Sequence, residues 1–143
     1  MNSVKRDYVG ISLWITSETW TVEMISQHVG ITPSYSQRLG DVIGQTKRRY
    51  ERHSWNLGKR LYAEQDDYIG SHTEQFFNDF LQWLQGSALK IKEMSGQHSV
   101  SVEIIYNVRD MPFIGLTSDQ VQAVASLGAR VSFDVMVYGS SSE

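Results

Sequence analysis

A chain of 143 residues, 41% apolar and 20% charged, lies in the compositional range of globular proteins and is long enough to bury a core unaided. It has no cysteine, which excludes disulfides, thiolate metal sites and a cysteine nucleophile. The net charge of −3 is uneven: from Arg38 to Arg60 seven basic residues (Arg38, Lys47, Arg48, Arg49, Arg52, Lys59, Arg60) meet two acids (Asp41, Glu51), a local +5 that leaves −8 for the rest of the chain.

Tyr8 to Ile15 alternates Val9, Ile11, Leu13 and Ile15 against Tyr8, Gly10, Ser12 and Trp14, the period of two expected of a strand. A short helix follows, carried by Val22, Ile25 and Val29, with Thr19 as its expected N-cap and Gly30 as its stop. Pro33, Gly40 and Gly44 then make residues 32–49 read as irregular. Tyr50 to Leu57 reads as a second strand. Ser71 and Glu74 have capping-box spacing, and Phe76, Phe77, Phe80, Leu81, Trp83 and Leu84 give an apolar face to a helix over 72–85. Gly86 interrupts it before a shorter helix that ends at Gly96. A third strand carries Val100, Val102, Ile104 and Tyr106. Thr117 and Gln120 form another capping box before a helix with Val121, Val124 and Leu127 on one face. The last strand alternates Val131, Phe133, Val135 and Val137, which should face the core.

The order is β-α-β, a helical pair, then β-α-β. It predicts one α+β domain over residues 1–138 with a flexible tail at 139–143. The expected architecture is a four-stranded, mainly antiparallel sheet with helices on one face, ferredoxin-like in topology.

Several residues together resemble the bacterial domain-of-unknown-function family 4279. They are Gly30, Ile31 and Pro33 after a helix, the pair Gly40 and Asp41, then Trp55 and Leu57 on a strand, and Phe133, Asp134, Val135 and Tyr138 at the close. The helix start "LTSDQV" fits as well. The resemblance covers nearly the whole chain. It supports the architecture and brings no activity, cofactor or catalytic residue with it.

Candidate sites follow from the alternation. If the apolar side of each strand is core, the other side of the sheet shows Tyr8, Ser12, Trp14, Ser101, Glu103, Ile105, Ser132, Asp134, Met136 and Tyr138. This open face suits a protein partner or a second copy of the chain, unless residues 32–49 or the helical pair fold over it. Nucleic acid is disfavoured there, because Glu103 and Asp134 repel phosphates and these positions carry no Lys or Arg. Glu103 and Asp134 also raise the weaker prospect of an acid/base pair. A second candidate is an anion site of Arg38, Asp41, Arg52 and Trp55, walled by Tyr50 and Trp55. The competing reading makes Gly40-Asp41 a turn and Trp55 a core residue. His28, His53, His72 and His98 have no ligand spacing, and nucleotide-binding glycine motifs and the GxSxG elbow are absent.

No apolar stretch approaches bilayer length and no signal-type h-region follows the N-terminus, so a cytoplasmic protein without a membrane partner is expected. No cofactor and no metal are expected. The function that fits is non-catalytic binding, of immunity (antidote) type, with a small-anion sensor as the alternative and a carboxylate-based enzyme behind both.

Overall fold

The computed structural model of the chain describes residues 6–64, 68–110 and 112–139. Within the described residues five strands and four α-helices follow in the order β1 (Tyr8–Ser17), α1 (Val22–Val29), β2 (Tyr35–Gln37), β3 (His53–Tyr62), α2 (Gly70–Leu84), α3 (Ala88–Met94), β4 (Ser99–Val108), α4 (Ser118–Ser126) and β5 (Arg130–Val137). A 3-10 turn at Gln85–Ser87, where Gly86 breaks the apolar face, joins α2 to α3. Residues 140–143 of the expected tail lie outside the described residues.

The strands form one sheet in the order β2-β3-β1-β4-β5. Three neighbouring pairs are antiparallel, and β4 with β5 is parallel. The expected α+β class and mainly antiparallel sheet are present, but four strands and ferredoxin-like topology are corrected. A split β-α-β unit joins parallel strands with another strand lying between them. Here β5 lies directly beside β4, and β3 returns antiparallel along β1, with Ser17 opposite His53. The fifth strand, β2, arises within the segment that read as irregular, because Tyr35, Ser36 and Gln37 pair with Asn56, Trp55 and Ser54. A further bridge between Val42 and Arg49 folds that segment back on itself.

Several element ends differ from their sequence expectation for local reasons. The N-cap of α1 is Thr21, whose hydroxyl accepts from the Met24 N–H at 3.2 Å, while the chain before it turns on Ser17, whose hydroxyl accepts from the Thr19 and Trp20 N–H groups. Gly30 does stop α1, at φ 79°, a left-handed conformation that a Cβ would strain. β3 begins and ends later than its alternation suggested. Beyond Gly58 its charged side chains lie along aromatic rings: Lys59 Nζ sits 4.5 Å from the Trp83 ring centre and the Arg60 guanidinium 4.5 Å from that of Tyr8. The Ser71–Glu74 capping box does not form; α2 starts at Gly70 behind Ile69, which is buried and caps without a side-chain hydrogen bond. The Thr117–Gln120 box forms with both of its hydrogen bonds.

The core lies on one face of the sheet. Val9, Ile11, Leu13, Ile15, Trp55, Leu57, Val100, Val102, Ile104, Tyr106 and Val108 are buried there with Val22, Ile25, Phe77, Phe80, Leu81, Leu84, Ile91, Val124 and Leu127 from the helices. Burial of apolar surface on this scale is the dominant stabilising term for such a domain. β5 corrects the expectation of a core-facing last strand. Register sets Val131, Phe133, Val135 and Val137 beside Val102, Ile104, Tyr106 and Val108, on the helical side. Yet Val131, Phe133 and Val137 are exposed and only Val135 packs against the core, because the helices cover the inner strands more fully than this outermost one.

Candidate functional site

Among the described residues, no helix lies on the other face of the sheet. The contacts made by α1, α2 and α3 run to the core side, and residues 32–49 extend the edge of β3 rather than folding across the sheet. The face predicted from alternation is therefore open among the described residues. Trp14 and Glu103 of the central strands lie on it, as does Asp134 of β5 with Tyr138 just beyond.

The middle of this face is floored by small residues. Gly10, Ser12 and Gly58 lie at the base of a groove of about 290 Å³ that is flanked by Trp14, Asn56, Arg60, Glu103 and Ile105. A Cβ on Gly58 would come within 3.1 Å of the Ser12 Cβ, so a larger residue there would shift the neighbouring strand or fill the groove.

At one end the groove meets Trp14 and Tyr35, packed edge to face with ring centres 6.2 Å apart. The Trp14 indole N–H donates to Glu103 in a long hydrogen bond of 3.4 Å, and the Tyr35 hydroxyl accepts from Gln37 at 2.9 Å. Burial first, then a hydrogen bond with Tyr35, push the Tyr50 phenol up.

At the other end aromatic rings and guanidinium groups interleave. Tyr8 and Tyr62 lie 5.5 Å apart, Arg60 covers Tyr8, Arg6 covers Tyr62 at 5.2 Å and Arg109 covers Tyr138 at 5.6 Å. Arg6, Tyr8, Tyr62 and Tyr138 border a second, wider groove of about 620 Å³ with Asn107 and Met136. Asp7 locks the end in place. Its carboxylate accepts from the Tyr138 hydroxyl and, at 3.0 Å, from the Arg109 backbone N–H. Burial first, then this bond to Asp7, push the Tyr138 phenol up to about 12.

The anion site expected from Arg38, Asp41, Arg52 and Trp55 is not assembled. Trp55 is fully buried, its indole N–H donating to Ser26 at 3.0 Å, so it walls no surface site. Arg38 pairs with Glu23 of α1, which holds the Glu23 carboxyl below the usual range, and Arg52 lies 3.8 Å from Glu18. Asp41 sits in a turn, its backbone N–H donating to the Arg38 carbonyl at 3.1 Å. Gly40-Asp41 is thus a turn and Trp55 a core residue. Glu103 and Asp134 do share the open face, but Glu103 lies opposite Ser132 and Asp134 opposite Ile105, one step apart along the strands. Among the described residues no three His, Asp or Glu converge as a metal set. His98, near Trp20, is held below the ordinary histidine range by burial.

A family model described as Domain of unknown function (DUF4279) matches residues 6–138. The chain belongs to this family. No curated protein and no solved structure matches it. The family boundaries coincide with the open-face end cluster: Arg6 and Tyr138 are the first and last residues matched, and both border the wide groove. Within the DUF4279 domain the pairing Gly40-Asp41 serves the turn, and Tyr138 closes the sheet through Asp7.

The alternation missed much of the end cluster. Tyr62, Arg60 and Arg6 lie where the strand pattern was weak or absent, and only pairing of β3 along the full length of β1 gathers them. The signal that would have found Arg60 and Tyr62 is the run of basic and aromatic residues "KRLY" after Gly58, which follows the readable part of β3.

Proposed function

We propose that the chain is a non-catalytic binding domain whose open sheet face docks a protein partner, and that it acts as an antidote by masking that partner. The observation that carries the reading is the row of Tyr8, Trp14, Tyr35, Tyr62 and Tyr138 with Arg6, Arg60 and Arg109 on an uncovered, rigidly paired sheet. Tyr, Trp and Arg are the residues that dominate protein interfaces, since they bury large area at low entropic cost and keep a polar handle. The grooves flanking them supply concave relief for loops or side chains of a partner. The antidote part of the reading is supported by the small chain, the lack of catalytic motifs and the separation of charge between residues 38–60 and the rest.

Affinity capture from the host, comparing the native chain with a Tyr8→Ala, Trp14→Ala, Arg60→Ala variant, tests this. The expected result is a protein retained by the native chain and lost by the variant, each central residue contributing about 2 kcal/mol or more. A toxin encoded beside the gene would support the antidote role. Capture of no macromolecule, or a partner held equally by both chains, would remove the basis for the proposal.

A further inference from the structure

β5 forms one margin of the sheet, and among the described residues nothing pairs with its outer edge. The Tyr138 N–H donates to the Val108 carbonyl at 3.1 Å, so Tyr138 turns its backbone toward β4. Alternation then turns the backbone groups of Val131, Phe133, Val135 and Val137 outward. The side chains of the same residues lie on the helical side, with Val131, Phe133 and Val137 at 38%, 43% and 51% exposure. An eight-residue apolar edge of this kind invites another strand. The opposite margin is guarded. β2 is only three residues long, and beyond it β3 carries Lys59 and Arg60.

We propose that β5 pairs antiparallel with β5 of a second copy about a two-fold axis through Ser132, joining the two sheets into one of ten strands. Charge complementarity selects both the occupant and the register. With the axis at Ser132, Arg130 lies opposite Asp134 of the partner subunit on the open face, and symmetry repeats the pair. On the helical face Val131 lies opposite Phe133 of the partner subunit, and these two exchange their outward N–H and C=O groups. An axis at Phe133 sets Arg130 against Met136, and an axis at Asp134 sets that carboxylate against its own copy. Only the Ser132 axis joins opposite charges while keeping apolar residues together. The open face with its grooves runs on across the junction, so this pairing leaves the proposed docking surface free.

Sedimentation velocity of the full chain over a concentration series tests the pairing. The native chain is expected to dimerise. V131K/F133K, at exposed positions, is expected to stay folded by circular dichroism and to sediment as a monomer. R130D sets like charges against each other and should weaken the dimer about tenfold or more, and R130D/D134R should restore it. The register has its own readout. Ser132 turns its backbone toward β4, so the two copies meet as a close, non-hydrogen-bonded pair that cysteines can bridge. In a chain without native cysteine, S132C should cross-link on oxidation and D134C should not. A monomer at every concentration, a dimer indifferent to V131K/F133K, a charge swap without rescue, or cross-linking of D134C in place of S132C would overturn the proposal.

Discussion

Tyr138 shows how one residue ties the ends of the chain together. Its hydroxyl donates to Asp7, which also accepts from the backbone of Arg109, so a carboxylate before β1 holds the far ends of β4 and β5. Burial and the nearby carboxylate both disfavour the phenolate, which is why its pKa is pushed up to about 12. The folded state therefore holds this proton more tightly than the unfolded chain, where a tyrosine titrates near about 10. The resulting stability is full below the unfolded value and lost as pH rises through about 12. In an ultraviolet titration, the native chain should show a phenol ionising near that value; Tyr138→Phe should lack it, and Asp7→Asn should bring it lower. A native titration with every phenol in the ordinary range would refute the account. Tyr138 was legible in the sequence as an open-face residue, because strand alternation reaches it. Its partner Asp7 was not, since the bond spans 131 positions that only pairing of β1, β4 and β5 brings together.

At the scale of elements, helix starts were legible where the capping chemistry is local. Thr117 and Gln120 close their box as spaced. What the spacing did not carry is the second use of Gln120. Its side-chain amide nitrogen donates to the Glu74 carbonyl at 3.1 Å and to Asn78 at 2.9 Å, so the buried side chain clamps α4 onto α2. Thr117→Ala should cost about 1 kcal/mol, the usual loss of a cap. Gln120→Ala should cost more, about 1–2 kcal/mol beyond that, since it also removes both hydrogen bonds to α2. Chemical denaturation checks the order; equal losses would mean that the clamp contributes nothing. Strand ends were less legible than helix starts. Alternation stops at Leu57, yet β3 runs on to Tyr62 because Lys59 and Arg60 find aromatic rings on opposite faces of the sheet. The Ser71–Glu74 spacing matched a box, but burial of Ile69 set the start of α2 instead.

For the molecule as a whole, the two faces of the sheet respond differently to substitution. Trp55→Ala removes the largest fully buried side chain and should destabilise the fold by about 3–5 kcal/mol. Trp14→Ala or Tyr8→Ala, on the uncovered face, should cost under about 1 kcal/mol while abolishing partner binding. Thermal melts of the three variants separate the faces; a collapse of the Trp14→Ala variant would show that the open face belongs to the core. The anion site failed at this scale too. Its arginines were recognisable as a basic segment, but Glu18, just after β1, and Glu23, in α1, reach Arg52 and Arg38, which no spacing reveals. By itself the sequence determined the α+β class, the family, the caps at Gly30 and Thr117, and which side chains share a face of each strand. These depend on a few neighbouring residues and on the period of two. Only the tertiary structure decided the strand order, the fifth strand, the gathering of Arg6, Arg60, Tyr62 and Tyr138, and the exposure of β5. Those depend on what packs beside a strand, and an apolar row at the margin of a sheet looks the same in sequence as one beneath a helix.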